Sequence, residues 1–312
     1  MRILFIKPSS FGDIVHGLQL AESLKQDLPG LHISWVARDV FAPLVRACST
    51  IDVVFEFQRK DGIGGFLRLV REVRGQDFDW VVDLQGLFRT GLLTALSKGC
   101  QKVGRADARE FAGLFYRSRP ALPENQPAHA LDILLQFRRF FGLNLELTGQ
   151  LRFESDLPDG FPAIVDGSTV LMFPESRRVE KQWPLFQELT RQLLEQEGDC
   201  RVIWGGNGDV DAPEGCPSDR FINLSGKTSL DCLPAMVAAA DFILSNDSGP
   251  MHLAAAMRRP VLALFGPTDP QRFGPYPVSG GLSKVLAAPD GNLARLGINV
   301  VMEAVLSMSN AC

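Results

Sequence analysis

A short polar segment follows the first apolar run of the chain and carries residue types suited to proton transfer. After residues 3–6 the sequence reads Lys7-Pro8-Ser9-Ser10-Phe11-Gly12-Asp13, and helical periodicity follows. Ser10 or Asp13 could simply cap that helix. A strand-to-helix turn also lies at the carboxyl edge of a parallel sheet, where ligands bind. Because this turn offers hydroxyls, a glycine and a carboxylate, we predict a functional role for Asp13.

A second polar block, at residues 245–252, reads Ser-Asn-Asp-Ser-Gly-Pro-Met-His. It predicts a buried strand ending in Asp247-Ser248-Gly249 and a helix with Pro250 in its first turn. The free N–H groups of such a helix end can bind a pyrophosphate, although a merely capped helix would look the same. Lys181 follows the first predicted strand of this half, and a cation beside an anion-binding helix end is what a leaving diphosphate needs.

A basic cluster lies in the first half. Its members are Lys98, Lys102, Arg105, Arg109, Arg117 and Arg119, with Asp107 and Glu110 between them. Such a run is commonly a solvated face. The alternative is a site for carboxylates or phosphates of a substrate, since arginine makes bidentate contacts to both. The two interpretations remain open at this point.

The length, composition and net charge of the chain limit the functions that it can have. Its 312 residues fit two domains, and its 46% hydrophobic and 22% charged content is that of a globular protein. A net charge of −4 argues against nucleic-acid binding. No apolar run is long enough to cross a bilayer, and the N-terminus does not resemble a signal peptide, so we expect a cytoplasmic protein. The six cysteines and four histidines are scattered, so we expect no metal site and no cofactor.

Short apolar runs alternate with helical periodicity in both halves, which predicts two doubly wound α/β domains. We predict strands at 3–6, 33–36, 53–55, 80–84, 102–104, 170–173, 201–204, 221–223, 242–245 and 261–265, and helices at 17–26, 64–74, 185–196, 230–240, 250–257 and 298–309. Residues 148–167 are expected to link domain 1–155, for the acceptor, to domain 156–312, for a nucleotide sugar. We expect the domains to face each other across a cleft, and the last helix could pack back on the first domain.

The polar segments, in this order along the chain, resemble glycosyltransferase family 9, the heptosyltransferases. The segments that carry the resemblance are 9–13, Asp83-Leu84-Gln85-Gly86-Leu87-Phe88-Arg89, Lys181-Gln182-Trp183-Pro184, 224–230, 246–252 and Gly266-Pro267-Thr268-Asp269-Pro270. The stretch from Ala108 to Tyr116 is similar to the first-step enzyme of the family, whose acceptor carries 3-deoxy-octulosonate (Kdo).

The resemblance implies a GT-B fold and inverting transfer of heptose from ADP-heptose, as a substrate, to the Kdo/heptose inner core of lipopolysaccharide. The acceptor is lipid-linked and anionic, so peripheral contact with the inner face of the cytoplasmic membrane is expected. Asp13 matches the general base. The residues expected to bind the donor are Ser9, Ser10, Gly12, Lys181, Asp209, Thr228, Asp247, Ser248, Gly249, Met251 and His252. Arg105 and Arg109 are expected to bind the acceptor.

Three alternatives remain open from the residues alone. A two-Rossmann nucleotide-sugar epimerase or hydrolase would use the same kind of site without an acceptor. A family 9 transferase could use another donor sugar, since the loop at residues 173–178 departs from the usual glycine-containing form. A protein that only binds nucleotides would leave the basic cluster unexplained.

Overall fold

The structure is a computed structural model that describes residues 1–162, 168–196, 200–277 and 282–309. Its internal contacts divide the chain into two units, Met1–Glu154 and Ser155–Cys312. Each unit contains one parallel β-sheet with helices, so the predicted α/β architecture is confirmed.

The first unit has a five-stranded sheet in the order β3-β2-β1-β4-β5. Its strands are β1 Arg2–Ile6, β2 His32–Arg38, β3 Val53–Phe57, β4 Phe78–Asp83 and β5 Gly99–Gly104. Its helices are α1 Phe11–Asp27, α2 Ala42–Ala47, α3 Gly62–Val73, α4 Phe88–Leu96 and α5 Ala130–Leu135, with 3₁₀ turns at Arg59–Asp61, Ala112–Phe115 and Gln136–Phe141. The central strand β1 is apolar and fully buried from Ile3 to Ile6, as a parallel strand covered on both faces must be.

The second unit has a six-stranded sheet in the order β11-β10-β9-β6-β7-β8. Its strands are β6 Thr169–Phe173, β7 Arg201–Trp204, β8 Phe221–Asn223, β9 Phe242–Asn246, β10 Val261–Phe265 and β11 Ser283–Ala287. Its helices are α6 Phe186–Glu195, α7 Leu233–Ala239, α8 Gly249–Ala256, α9 Pro270–Phe273 and α10 Ile298–Ser309, with 3₁₀ turns at Val179–Lys181, Pro289–Gly291 and Leu293–Arg295. The last helix, α10, packs on α6 and β9 of this unit.

The predicted linker at residues 148–167 is wrong in its first part. Thr148 donates its backbone N–H to the Ser23 hydroxyl at 2.9 Å, and Glu154 donates to the Ala47 carbonyl at 2.7 Å. Residues 148–154 are therefore tied to the first unit by hydrogen bonds that polarity and missing periodicity cannot reveal. Ser155 donates its hydroxyl to a carbonyl in the second unit, that of Asp231. Residues 163–167 of the predicted linker lie outside the described ranges.

Candidate active site

The carboxyl ends of three neighbouring strands in the first unit bring polar residues to one level. Ile6 pairs with Asp83 across β1 and β4, and Asp83 pairs with Gly104 across β4 and β5. Lys7 directly follows Ile6, and Arg105 directly follows Gly104. The sheet register therefore gathers the ends of β1, β4 and β5 at the edge where parallel sheets bind ligands.

Asp13 lies in the first turn of α1 and is held there by two neighbours. Its Oδ2 atom accepts hydrogen bonds from the Ser10 backbone N–H at 3.2 Å and from the Ser10 hydroxyl at 2.9 Å. The Lys7 Nζ lies 3.7 Å from the same oxygen; the Lys7 side chain is 4% exposed and that of Asp13 is 44% exposed. Ser10 is the N-cap of α1, so the capping role and the predicted functional role fall on one segment. The Asp13 side chain is 44% exposed, so a ligand can reach its carboxylate.

The surroundings of Asp13 favour its charged form. Burial alone would raise the pKa of its carboxyl, but the Lys7 cation and the hydrogen bonds from Ser10 outweigh burial and hold that pKa below its usual value. Burial lowers the pKa of the Lys7 ammonium, while the carboxylates of Asp13 and Asp83 oppose that shift. The Arg105 cation lowers the pKa of both Lys7 and Asp13. Asp13 is therefore ionised at neutral pH, as a general base must be.

Asp83, fully buried at the end of β4, fixes the turn that follows it. Its Oδ1 accepts hydrogen bonds from the backbone N–H groups of Gln85 at 2.8 Å and Gly86 at 3.0 Å, and its Oδ2 accepts one from the Tyr116 hydroxyl at 2.7 Å. Burial raises the pKa of the Asp83 carboxyl, and these hydrogen bonds oppose the shift. Burial and the neighbouring Asp83 raise the pKa of the Tyr116 hydroxyl. Asp83 thus anchors the loop after β5 through Tyr116.

Gly104 makes room for that anchor. A Cβ atom at Gly104 would lie 2.3 Å from the Tyr116 ring, a separation that real Cβ contacts do not show. The ring therefore packs over the end of β5 only because residue 104 has no side chain.

The two predicted acceptor arginines lie in the loop after β5. Arg105 donates from Nε and Nη2 to the two carboxylate oxygens of Asp107, at 2.8 and 2.6 Å. Arg109 is exposed, and its backbone N–H donates to the Gly86 carbonyl at 2.8 Å. Arg105 therefore already has a bidentate carboxylate partner, whereas Arg109 presents its guanidinium to solvent. Elsewhere in the basic cluster, Lys102 donates to the Ala95 carbonyl at 2.6 Å, which is a structural role.

In the second unit, Lys181 and Asp247 form an ion pair at the ends of β6 and β9. The Lys181 Nζ lies 2.5 Å from the Asp247 Oδ2, and the two side chains are 15% and 7% exposed. The Thr268 hydroxyl, in the loop after β10, donates to the same carboxylate oxygen. Asp247 therefore holds the ammonium group in place from one side, and the ammonium keeps donors for a ligand, because a lysine carries three N–H bonds.

Asn246 positions both members of this pair. Its side-chain oxygen accepts the Trp183 backbone N–H at 3.0 Å, and its amide group donates to the Pro174 carbonyl at 2.9 Å. The loop that carries Lys181 is thereby fixed to the end of β9. Ser248 is the N-cap of α8, and its hydroxyl oxygen lies 3.1 Å from that of Ser245.

The first turn of α8 begins at Gly249, directly after Asp247 and Ser248, so the predicted start of this helix is confirmed, and anion binding by its N–H groups stays a prediction. Met251 is fully buried and His252 is 9% exposed. A contribution from Met251 to ligand binding would therefore come from its backbone N–H group.

The loop after β7 is another candidate region of the second unit. We call it the glycine loop, because it contains Gly205, Gly206 and Gly208. Glu175 accepts the Asn207 backbone N–H at 2.8 Å, and its carboxylate packs so closely that a Cβ at Gly208 would lie 2.0 Å from it. The Thr228 hydroxyl donates to the Gly206 carbonyl at 2.7 Å. Asp209 is exposed in the same loop. Glu175 and Thr228 thus hold the loop, and Asp209 is open to a ligand.

The structure groups the predicted site residues within each unit. Ser9, Ser10, Gly12, Asp13 and Arg105 lie at one sheet edge of the first unit, and Lys181, Asp247, Ser248 and Gly249 lie together in the second. Within the described ranges, no group of three His, Cys, Asp or Glu side chains could hold a metal ion. None of the helices in those ranges has the length and apolar content needed to span a bilayer.

Sequence reasoning missed six residues that organise these clusters. They are Lys7, Asp83, Tyr116, Glu175, Asn246 and Thr268. Asp83 and Thr268 stand in segments that carry the family resemblance, but no role had been predicted for either. One feature of the sequence could have identified Lys7: a lysine directly after a buried strand must find a partner near the sheet edge.

The family model, the related sequence and the solved structures that match this chain are all heptosyltransferases. A family model described as glycosyltransferase family 9 (heptosyltransferase) matches residues 66–288. Lipopolysaccharide heptosyltransferase 1 of Escherichia coli K12 is 27% identical over 99% of this chain and 100% of its own length. The E. coli heptosyltransferase WaaC with ADP covers 99% of this chain and 100% of its own at 26% identity, with a TM-score of 0.81. The same protein with ADP-2-deoxy-2-fluoro heptose covers 98% of this chain and 99% of its own at 25% identity, with a TM-score of 0.78.

The family match spans well over half of the chain. The chain therefore belongs to glycosyltransferase family 9, the heptosyltransferase family. It is a glycosyltransferase, and the predicted fold class, GT-B with two Rossmann-like α/β domains, is confirmed.

Proposed function

We propose that this protein transfers heptose from ADP-heptose to the Kdo/heptose inner core of lipopolysaccharide, with inversion at the anomeric carbon. The observation that carries the proposal is the match to lipopolysaccharide heptosyltransferase 1 over nearly the full length of both chains. The donor is supported by the related E. coli structures with ADP and with a fluorinated ADP-heptose analogue. ADP-heptose is a substrate here, and the proposal includes no cofactor.

In this reaction an acceptor hydroxyl attacks the anomeric carbon while the bond from that carbon to ADP breaks. We assign the hydroxyl proton to Asp13, whose lowered pKa keeps it ionised and whose side chain is partly exposed. Lys7 and Ser10 hold Oδ2 and orient the carboxylate. General-base catalysis of this kind contributes roughly 10²- to 10⁴-fold to rate.

The second unit would hold the donor. Lys181, oriented by Asp247, and the first N–H groups of α8 supply positive charge for the leaving diphosphate. Asp209 would accept hydrogen bonds from the ribose, and Thr228 and Glu175 would act on the nucleotide through the glycine loop that they hold. Ser9 and Ser10, in the turn before α1, and Gly12, in the first turn of α1, are proposed to contact the donor.

The first unit would hold the acceptor. Arg109, with an exposed guanidinium, is proposed to bind a carboxylate or phosphate of the inner core directly. Arg105 would do so while bound to Asp107, or after exchanging that partner for the acceptor. Because the acceptor is lipid-linked, we further propose that the protein works at the inner face of the cytoplasmic membrane, in peripheral contact with it.

The deciding experiment incubates the full chain with ADP-heptose and Kdo-bearing lipid A and measures the products by mass spectrometry. We expect a lipid heavier by one heptose and an equal amount of ADP, and neither product when one substrate is omitted. An epimerase or hydrolase would consume the donor without acceptor, which would overturn the proposal. ADP-mannose in place of ADP-heptose tests for a different donor sugar, and faster transfer from it would reassign the donor alone.

A further inference from the structure

Four large apolar side chains of the first unit are more than half exposed to solvent. Ile63 and Leu67 on α3 are 80% and 57% exposed, and Phe111 and Leu114 in the loop after β5 are each 81% exposed. Phe88, the first residue of α4, is 49% exposed. Single exposed apolar residues need no explanation, but a group of them on one side of a domain marks an interaction surface.

These residues belong to one side of the sheet. Leu69 and Val73 of α3 share a core cluster with Leu93 of α4, so both helices cover the same sheet face. Both helices begin just after the carboxyl end of a strand. Their first turns, which carry Ile63 and Phe88, therefore lie at the same edge of that face.

Direct contacts connect the N-terminus of α4 to its neighbours on either side. The Phe88 ring lies 5.5 Å from the Phe115 ring, between centroids, and the Phe88 backbone N–H donates to the Glu110 carboxylate at 3.2 Å. On the other side, the Arg89 guanidinium lies 5.6 Å from the ring centroid of Phe57, the last residue of β3 before α3. The α4 N-terminus thus contacts both the loop that carries Phe111 and Leu114 and the last residue of β3, after which α3 follows in the chain. We call the surface formed by Ile63, Leu67, Phe88, Phe111 and Leu114 the apolar–basic face.

Positive charge predominates in the segments around this face. Segments 59–71, 88–89 and 105–119 together contain nine Lys or Arg and three Asp or Glu, although the chain as a whole has a net charge of −4. Arg59, Lys60, Arg68, Arg71 and Arg89 are all exposed. Exposed apolar side chains among exposed cations match an anionic lipid surface, where the cations meet headgroup phosphates and the apolar groups enter the acyl boundary.

We propose that the apolar–basic face docks the protein on an anionic lipid bilayer. The proposal deepens the proposed function, because a lipid-linked acceptor is reached at such a surface. A symmetric dimer through this face is disfavoured, since each basic segment would then meet its own copy. The docked orientation would place the loop of Arg105 and Arg109 next to the headgroups.

The test is co-sedimentation of the full chain with vesicles of phosphatidylethanolamine and phosphatidylglycerol, and with vesicles of phosphatidylcholine alone, without sugar nucleotide or lipopolysaccharide. We expect binding to the anionic vesicles that weakens as salt rises, and little binding to the others. The double variant Phe111→Ser/Leu114→Ser should bind about tenfold more weakly or worse, and Ile63→Ser/Leu67→Ser should weaken binding as well. Val300→Ser on α10, which removes a side chain that is 50% exposed, is the matched control and should bind as the parent does.

Either of two results overturns the proposal: a parent chain that stays in the supernatant with anionic vesicles, or Ser variants that bind like the parent. Vesicle-independent self-association, measured by sedimentation velocity and abolished by the same substitutions, would assign the face to a second copy instead. Because no substrate is present, these outcomes are independent of whether the protein transfers heptose. Failure of the transfer assay with intact vesicle binding would refute the proposed function and leave the docking face standing.

Discussion

Replacing Lys7 by methionine removes the cation that lies beside Asp13 and keeps a buried side chain of similar length. The Lys7 cation helps to hold the pKa of the Asp13 carboxyl below its usual value, so its loss should raise that pKa. A carboxylate that must be ionised to act loses activity as pH falls through its pKa. The acid limb of the pH–rate profile should therefore move to higher pH in the variant.

The size of this shift follows from the geometry. Two unit charges 3.7 Å apart interact by about 1 kcal/mol at the dielectric constant of water and by about 4.5 kcal/mol at an effective value near 20. Because Asp13 is 44% exposed, solvent screening places the interaction near the lower value. With about 1.4 kcal/mol for each pKa unit, we expect a rise of about one unit.

The assay is kcat/KM for heptose transfer between pH 3 and 9, a range that starts low enough to reach the acid limb of the parent, with folding checked by circular dichroism and thermal melting at each pH. At pH 8 the Lys7→Met variant should work within a few fold of the parent, because Asp13 is ionised in both. Lys25→Met is the matched control: it also removes a lysine paired with an aspartate in this unit, at 3.0 Å from Asp52, and should leave the profile in place. An acid limb that does not move in a folded Lys7→Met protein would refute the electrostatic role of Lys7.

Four further substitutions separate the roles assigned to the two units. Asp13→Asn should lower turnover at least about a hundredfold and leave ADP affinity by calorimetry nearly unchanged; near-normal turnover would remove Asp13 as the base. Lys181→Ala should weaken ADP binding about tenfold or more by calorimetry, and unchanged affinity would contradict the assignment. Arg109→Ala should raise the KM for the acceptor while the KM for ADP-heptose stays constant; the reverse pattern would place Arg109 with the donor. Tyr116→Phe leaves the buried Asp83 short of one hydrogen bond and should lower the free energy of unfolding by about 1–3 kcal/mol in urea denaturation, whereas an unchanged midpoint would show that Asp83 does not depend on it.

The sequence predicted the strands and helices wherever a local pattern is strong. The buried runs of β1, β7 and β10 and the amphipathic pattern of α10 needed no tertiary information. Strand β11 was missed because Ser283–Ala287 is half exposed at the sheet edge, so its residues lack a continuous apolar run. Four helices were also missed: α2, α4, α5 and α9, each of nine residues or fewer. Helical periodicity is weak over so few turns, whereas α8, which is equally short, was predicted from its position after a buried strand and from Pro250 in its first turn.

The residues of the candidate site differ in the same way. Those marked by a local sequence pattern could be predicted, and those placed by tertiary contacts could not. Asp13 could be predicted because a strand, a turn and a helix are adjacent in sequence. Lys7 and Tyr116 could not, because their roles depend on the register of β1, β4 and β5, which joins residues many positions apart. The pairing of Lys181 with Asp247 spans 66 positions and is likewise a product of the folded sheet. The predicted roles of individual residues in binding donor and acceptor stay predictions until the variants are measured.

The packing of Tyr116 over Gly104 has an evolutionary consequence. Any side chain at position 104 would displace the tyrosine ring, and losing the tyrosine would leave the buried Asp83 carboxylate short of its hydroxyl partner. Neither position can therefore drift alone. Among descendants of this chain, we expect residue 104 to change from glycine only where residue 116 becomes smaller and residue 83 is no longer acidic. Such a triple replacement would mark a lineage in which the loop that carries Arg105 and Arg109 is held by different contacts.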